Sequence, residues 1–443
     1  MKHKHYGCLD LSAFKYICVC IISFLAKVST AIYKYPSFHS NSMIVVPVVN
    51  TFGDSVHIFH QSKLAAIIAN RECHVILTPT SPASDVATVL FEEKYIHYYN
   101  EPLYLIMRSL IPAHLRRSSI DHLILYHLRV KFRDAGYAWA DAQGNSIEDI
   151  FGVALKEDQP DAWNAHLKVF MKSTPQYFIE FIRYSRLLNS SLSVSYASAG
   201  MPDVDSLKRQ LGINSPYVCM HIKETMAGSN CLQPRSIKSR ETYKALINLI
   251  VSRGYTVVEI GASHSSRAFS NTTGYVNYAN SGLQSIVNDI QLIRGCEFYI
   301  GNNSGPWSIA LMHRKPLLML NFTALSIATV KTPLSLYLIK KILDKNKLKL
   351  MSIEEYMDSD FFYHEDSAYF SLAEKGYAIE DNTEAEIFSA AEEFLERLDL
   401  YLKNGSDSSL NNDQQETYLR KINPSHLCLY ESRALLAKAN FIR

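Results

Sequence analysis

The sequence predicts an α/β fold with two domains, on three observations. The chain has 443 residues, whereas one hydrophobic core rarely grows beyond about 250–300 residues. Residues 217–321 alternate between short apolar runs and amphipathic segments, as in a parallel sheet with helices on both faces. A strand–turn–helix–strand pattern also occupies residues 43–78. We therefore predict two Rossmann-like domains that face a cleft.

The predicted domain boundaries follow shifts in composition. Residues 41–200 are expected to form an N-terminal α/β domain and residues 201–400 a C-terminal one, joined by a Ser-, Ala- and Gly-rich linker. The polar residues 401–443 are expected to be a tail that is partly disordered. Residues 1–40 contain a lysine-flanked apolar run that is too short to span a bilayer. This run fits either a helix packed on the first domain or an anchor at a membrane surface.

The first domain is predicted to open with a buried strand at residues 43–49, followed by a glycine turn and a helix. Gly53 and Asp54 lie in that turn, and Gly53 is a further candidate for contact with the donor phosphates. Asp54 can be the N-cap of the helix, or a base that removes a proton from an acceptor hydroxyl across the cleft. Residues 84–188 are predicted to be mostly helical.

The second domain alternates more clearly between strands and helices. The predicted strands are residues 217–223, 256–261, 275–279, 297–301 and 317–321, and the predicted helices are residues 240–253, 283–294, 306–313 and 384–398. In open sheets of this kind, ligands bind beyond the carboxyl ends of the strands. The residues that follow each strand are therefore the candidates for a functional site.

The turn after the strand at residues 297–301 is a candidate cradle for a diphosphate. Asn302, Asn303, Ser304 and Gly305 lead directly into a predicted helix. The unpaired amides of a helix N-terminus favour anions, and the serine adds a hydroxyl. Turns of this composition are also common where no phosphate binds. An ordinary strand-to-helix turn therefore stays open as the alternative.

Charged side chains near two other strands could meet the same ligand. His221 and Lys223 share one face of the predicted strand at residues 217–223. Arg240 opens the next helix, and Gly261 ends the next strand. A lysine supplies a compact positive charge for a phosphate. Alternatively, His221 is a satisfied buried histidine and the two cations are solvated at the surface.

Composition and missing motifs exclude several classes of function. The 45 Lys plus Arg and 43 Asp plus Glu leave a net charge of +2, which indicates no basic face for nucleic acid. The sequence contains no G-x-G-x-x-G, no Walker-type phosphate loop and no G-x-S-x-G elbow. No Asp-x-Asp follows a predicted strand, and no cysteine pair has zinc-ligand spacing, so neither a metal nor a cofactor is expected. The scattered cysteines favour a reducing compartment.

The second half of the chain resembles a family of bacterial glycosyltransferases from surface-polysaccharide gene clusters. The motifs are Tyr217-Val-Cys-Met-His-Ile-Lys223, a run from Tyr243 to Gly254-Tyr-Thr-Val-Val with Gly261, Asn288-Asp-Ile-Gln-Leu, the run from Cys296 to Gly305, the run from Pro316 to Asn321, and the run from Gly376 to Ile387. The resemblance covers about residues 215–398. More distantly, the His-Ile-Lys and Gly-Asn-Asn-Ser-Gly elements are similar to those of fucosyltransferase-type and heptosyltransferase-type enzymes.

The resemblance implies a metal-independent GT-B fold whose C-terminal domain binds a nucleotide-sugar donor. The enzyme would transfer a sugar to a hydroxyl of a glycan or glycolipid. His221, Lys223 and the amides of residues 302–305 would neutralise the leaving diphosphate. The family usually has arginine at the positions of Lys223 and Glu259.

Two alternatives remain open on the sequence. One is a nucleotide-sugar epimerase of the same fold, which needs no acceptor. The other is a degenerate protein that binds a nucleotide sugar or a partner transferase without turnover. The expected location is the cytoplasm, either free or peripheral on the inner membrane.

Overall fold

The structure is a computed structural model. It describes residues 38, 42–47, 52–78, 83–99, 128, 138–139, 203–224, 235–261, 269, 271–323, 334–357, 359, 372, 374–404 and 434–441. The chain divides into two compact units, with the described residues up to 139 in the first and those from 203 onward in the second. The predicted N-terminal helix and nearly all of the predicted linker lie outside the described residues.

The described part of the first unit is a parallel sheet with two helices. Its strands are β1 (Ser42–Val45), β2 (Glu72–Leu77), β3 (Ile96–Tyr98) and β4 (Ala138–Trp139). They lie in the order β3-β2-β1-β4, and every neighbouring pair is parallel. Helix α1 (Phe52–Ala69) connects β1 to β2, and helix α2 (Ala83–Leu90) follows β2.

Two predictions for the first unit need correction. Helix α1 begins at Phe52, so Gly53 and Asp54 lie in its first turn and not in a turn before it. The region predicted to be mostly helical contains strands β3 and β4. Both strands are too short for a two-residue alternation to be recognised, and it is pairing with β2 and β1 that makes them strands.

The second unit is built on a seven-stranded sheet that is parallel throughout. Its strands are β5 (Tyr217–His221), β6 (Thr256–Glu259), β7 (Tyr275–Asn277), β8 (Tyr299–Gly301), β9 (Leu317–Phe322), β10 (Ser335–Ile339) and, after three strands of a separate sheet, β14 (Ala434–Leu436). The order is β14-β10-β9-β8-β5-β6-β7. Strands β6 and β7 therefore extend the sheet on one side of β5, and the later strands extend it on the other.

Helices cover both faces of this sheet. They are α3 (Val204–Gln210), α4 (Lys244–Ser252), α5 (Ile286–Gly295), α6 (Gly305–Met312), α7 (Ile353–Met357) and α8 (Glu384–Asn404). On one face, Met220 and Phe298 pack with Ile247 of α4 and Phe394 of α8 in the main hydrophobic core. Fully burying a side chain of this size stabilises the fold by roughly 1.5–3 kcal/mol. On the other face, the Tyr217 hydroxyl donates to the Leu292 carbonyl of α5 at 2.8 Å.

The C-terminal residues are not simply the predicted polar tail. Helix α8 continues to Asn404, and β14 pairs with β10 at the edge of the sheet. The Asn440 side chain then accepts from Ile339 N–H at 3.0 Å and donates to the Tyr337 carbonyl at 2.8 Å. A three-residue strand has too little pattern to be found in the sequence, so only its pairing identifies it.

A small antiparallel sheet accompanies the large one. It consists of β11 (Lys341–Asp344), β12 (Lys349–Leu350) and β13 (Tyr377–Glu380), in the order β12-β11-β13. Within the part of the chain that the structure describes, no helix is both long and apolar enough to cross a membrane.

Candidate functional site

The candidate site lies where the strand order of the second sheet reverses. Strands β5 and β8 are neighbours, and His221 at the end of β5 is the register partner of Gly301 at the end of β8. The connections after two such strands run in opposite directions, which leaves a crevice beyond their carboxyl ends. The two segments singled out in the sequence, around His221 and around residues 302–305, are therefore brought together at this point.

His221 and Ser304 form the centre of the site. Ser304 immediately precedes α6, and its Oγ lies 2.8 Å from Nδ1 of His221. The same hydroxyl lies 3.2 Å from the Asn302 carbonyl oxygen. Although Ser304 occupies the N-cap position, its side chain makes no capping hydrogen bond to the helix. The hydroxyl is thus directed at the imidazole and leaves the first amides of α6 without a side-chain cap.

Gly261 approaches the other edge of the same imidazole. Its φ is +83°, in the left-handed region that favours glycine. A Cβ at this position would lie 2.4 Å from Cδ2 and 2.7 Å from Nε2 of His221. Both the backbone conformation and the close approach therefore require glycine. Two of the predicted site residues, His221 and Gly261, are therefore in direct contact.

The imidazole is neutral at physiological pH. Burial, together with the positive charges of Lys223 and Arg240, lowers the pKa of His221 from 6.5 to about 4. A neutral imidazole has one N–H donor and one acceptor nitrogen. The positive charge of the site therefore comes from other residues.

Lys223 lies beyond the end of β5, not on the strand as predicted. The strand stops at His221 because the chain then joins the segment around residue 237. The Lys223 carbonyl accepts from Ile237 N–H at 2.9 Å, and its own N–H donates to Oδ1 of Asn302 at 3.3 Å. These bonds hold the Lys223 backbone beside the loop that follows β8.

The two asparagine side chains in the predicted cradle fasten loops together. Asn302 is fully buried, and its Nδ2 donates to the Arg235 carbonyl at 2.8 Å. Nδ2 of Asn303 donates to the Thr323 carbonyl at 3.0 Å and to its hydroxyl at 2.8 Å. A phosphate role for these residues would therefore use their backbone N–H groups, together with that of Gly305, the first residue of α6. That role stays a prediction.

Arg240 is buried, so the alternative of a solvated surface cation is wrong. Its guanidinium contacts the Glu259 carboxylate, lies 3.5 Å from the Glu224 carboxylate and stacks 5.7 Å from the Phe269 ring. Burial and the charge of Glu224 raise the pKa of Glu259 to about 8. Glu259, which stands where the resembling family has arginine, thus lies against a guanidinium supplied by Arg240.

Three of the motifs that carry the family resemblance meet in a buried hydrogen-bond network. Asn321 at the end of β9 and Asn382 after β13 exchange backbone-to-side-chain bonds of 2.7 and 2.6 Å. Nδ2 of Asn321 also donates to the Tyr243 hydroxyl at 2.9 Å. Asn321 has φ +49°, which asparagine tolerates better than most residues. These motif residues join loops at the same end of the sheet.

Two polar residues were not among the predicted site residues, a buried tyrosine and a half-buried aspartate. Tyr299 lies on β8 two residues before Gly301 and is fully buried. Asp289 lies on α5, and burial raises its pKa from 3.8 to about 7. The alternation of β8 puts Tyr299 on the same face as Gly301, and this signal was available in the sequence.

The remaining predicted residues belong to the first unit. Gly53 and Asp54 lie in the first turn of α1, and the structure does not describe the side chain of Asp54. The catalytic role of Asp54 and the donor-side role of Gly53 therefore stay predictions. Among the described residues, no group of three His, Cys, Asp or Glu could hold a metal ion. Metal independence also stays a prediction.

Comparison with known proteins places the chain far from its relatives in sequence. No model of a known protein family matches, and no curated protein matches. Among solved structures, the chain is similar to the iron-containing dodecameric glycosyltransferase TibC from enterotoxigenic E. coli, at 16% identity and TM-score 0.33 over 66% of this chain. The match spans 61% of the TibC chain.

Two further solved structures give similar values. The E. coli ADP-heptose lipopolysaccharide heptosyltransferase II matches at 15% identity and TM-score 0.35, over 63% of this chain and 84% of its own. A family 9 glycosyl transferase from Veillonella parvula matches at 12% identity and TM-score 0.36, over 63% and 80%. These values record a distant likeness to solved structures of glycosyltransferases.

Proposed function

We propose that the protein transfers a glycosyl group from a nucleotide-sugar donor to a hydroxyl of a glycan or glycolipid, without a metal ion. The observation that supports this proposal is the neutral His221–Ser304 pair at the reversal of strand order, packed against Gly261 and followed by Lys223. The donor would bind in the second unit, at the carboxyl ends of β5 and β8.

The chemistry of glycosyl transfer matches these groups. The leaving group is a nucleoside diphosphate, whose developing negative charge needs N–H donors and a cation. The Lys223 ammonium would supply the cation. The uncapped Gly305 N–H at the start of α6 and the Ser304 hydroxyl would supply donors. A neutral His221 can donate one hydrogen bond to the diphosphate without repelling Lys223.

The acceptor hydroxyl needs a base as it attacks the sugar. Asp54 of the first unit is the candidate, since its residue type and its place after a strand suit the role. Exclusion of water from the donor would prevent hydrolysis. Peripheral contact with the inner membrane would fit a lipid-linked acceptor.

The first test is nucleotide binding measured by thermal shift. Wild-type protein is screened against nucleoside diphosphates, beside Lys223→Ala and Ser304→Ala. A ligand at about one hundred times its dissociation constant stabilises by roughly 2.7 kcal/mol. We expect one nucleotide to stabilise the wild type and both variants to lose most of that gain.

Matched controls remove one lysine charge and one hydroxyl elsewhere in the same unit. Lys349→Ala on β12 and Ser252→Ala on α4 change exposed residues. Both are expected to keep the full nucleotide shift. If no nucleotide stabilises the wild type at millimolar concentration, the proposed donor site is wrong.

The second test separates transfer from its two rivals. The nucleotide sugar that matches the best nucleoside diphosphate is incubated with and without membrane glycolipid. Release of nucleoside diphosphate that requires glycolipid and falls in Asp54→Asn supports transfer. Conversion of the donor alone into an isomer indicates an epimerase, and binding without turnover indicates a non-catalytic protein.

A further inference from the structure

A short segment beside the site, residues 235–238, is held by two sets of partners. Each of its residues gives one backbone group to a partner outside the segment. The Arg235 carbonyl accepts from Nδ2 of Asn302 at 2.8 Å. The Ile237 N–H donates to the Lys223 carbonyl at 2.9 Å. These two bonds join the segment to the two loops of the proposed donor site.

A buried lysine and an aspartate form the second set of partners. Lys340 lies between β10 and β11, and its ammonium donates to the Ser236 carbonyl at 2.5 Å and to Oδ1 of Asp381 at 2.7 Å. The other carboxylate oxygen, Oδ2 of Asp381, accepts from the Lys238 N–H at 2.7 Å. This lysine–aspartate pair therefore holds residues 236 and 238, whereas the site loops hold residues 235 and 237.

The alternation of partners places the segment between the site loops and the lysine–aspartate pair. Ile237 is in a parallel bridge with Glu224, so the chain is extended there. In an extended chain, the backbone groups of successive residues point in opposite directions. Without the pair, the segment would keep only its bonds to the site loops, and those loops would lose an anchor to the strands beyond.

The lysine–aspartate pair is a strong anchor because it is charged and largely shielded from water. The Lys340 side chain is 3% exposed, and that of Asp381 is 18% exposed. Burial lowers the pKa of Lys340, and the Asp381 carboxylate raises it. Hydrogen bonds to ionised groups are roughly twice as strong as those between neutral groups. Removing one member of such a pair also leaves the other charge uncompensated, so loss of either member should loosen the segment.

We propose that Lys340 and Asp381 are positioning residues, which hold residues 235–238 so that Lys223 and the loop of residues 302–305 keep the arrangement that binds a diphosphate. Both act through the backbone of the segment. The step from this arrangement to a diphosphate rests on the proposed function. The hold on the segment does not.

The first test is amide hydrogen exchange without ligand, followed by mass spectrometry on peptides that contain residues 235–240. Wild type is compared with Lys340→Met and Asp381→Asn. We expect the Ile237 and Lys238 amides to exchange at least about 10-fold faster in both variants, because hydrogen bonds to charged groups are lost. Asp381→Asn keeps the shape of the side chain and decides the question if Lys340→Met folds poorly.

Two control variants separate this local effect from a general loss of stability. Lys341→Met removes the neighbouring lysine, whose ammonium binds Glu386 of α8 at 3.1 Å. Asn440→Ala removes hydrogen bonds to β10. Both are expected to change exchange in residues 235–240 less than about 2-fold. The inference is overturned if Lys340→Met and Asp381→Asn leave this exchange unchanged, or if the controls accelerate it equally.

The second test measures the affinity for ADP, GDP and UDP at a temperature where every variant is folded. We expect Lys340→Met and Asp381→Asn to weaken the best-bound nucleotide about 10-fold and the controls to leave it unchanged. If none of the three binds the wild type, the proposed function fails while the exchange result stands. If exchange accelerates but the affinity does not change, the segment does not orient the site and the positioning role is wrong.

Discussion

The neutral imidazole of His221 predicts a specific loss of stability in acid. The histidine pKa is about 4 in the folded protein against an ordinary value of 6.5. Because the folded-state pKa is the lower one, this contribution to stability is present above pH 6.5 and is lost as the pH falls toward 4. The full lowering of the pKa corresponds to at most about 3.4 kcal/mol in the free energy of unfolding. Roughly 2 kcal/mol of this is lost by pH 5.

The assay compares denaturant unfolding of the wild type and His221→Gln at several pH values. Wild-type data alone do not isolate the contribution of His221 to the pH dependence of stability. Two acids also titrate abnormally, because burial raises the pKa of Asp289 to about 7 and that of Glu259 to about 8. The contributions of those acids change in the opposite direction, being lost as pH rises through the folded-state values. The difference between the two proteins cancels them.

We expect the wild type to lose roughly 2 kcal/mol more than His221→Gln between about pH 7.5 and pH 5. The glutamine amide keeps a polar group next to Ser304, so both proteins should fold at neutral pH. If the two stability curves run parallel over this range, His221 is not held neutral by burial and the electrostatic account of the site is wrong.

Other parts of the structure make further predictions for the same unfolding assay. Gly261→Ala should destabilise by roughly 1–3 kcal/mol through its positive φ and its approach to His221, and adding His221→Ala should recover part of that loss. If the stability losses of the two single substitutions simply add in the double variant, Gly261 and His221 are not in contact. Asn302→Ala should lower the free energy of unfolding by about 2–3 kcal/mol, because it removes the hydrogen bonds of a buried amide to the Lys223 N–H and the Arg235 carbonyl. Asn440→Ala should lower the free energy of unfolding by about 1–3 kcal/mol, because it removes two hydrogen bonds to the backbone of β10. An unchanged denaturation midpoint would show that this side chain does not hold the strand. Asp289→Asn should stabilise the protein more at pH 8 than at pH 5, and equal effects would contradict its raised pKa.

Much of the second sheet could be predicted from local pattern. Strands β5, β6, β8 and β9 are apolar runs bounded by turns, so their positions were predicted to within two residues at most boundaries. Strands β10 to β14 were missed. Several are short or follow polar segments, and their pairing partners are distant in the chain.

The candidate site was partly predictable for a similar reason. His221 ends a strand, Gly261 and Ser304 follow strands, and a parallel sheet brings the ends of neighbouring strands to one edge. The burial of Arg240 was not predictable, because its partners Glu224 and Glu259 come from different segments. Nor was the role of the Asn302 side chain in fastening the Arg235 loop.

By itself, the sequence determined the α/β class and the edge of the sheet where polar residues gather, because both follow from short-range periodicity and from turn residues. Only the tertiary structure decided what those residues do there. Ser304 meets the imidazole of His221 across 83 positions of the chain. Burial then sets the protonation state of His221. Hydrogen-bond direction and desolvation depend on which distant side chains surround a group, and no local pattern records that.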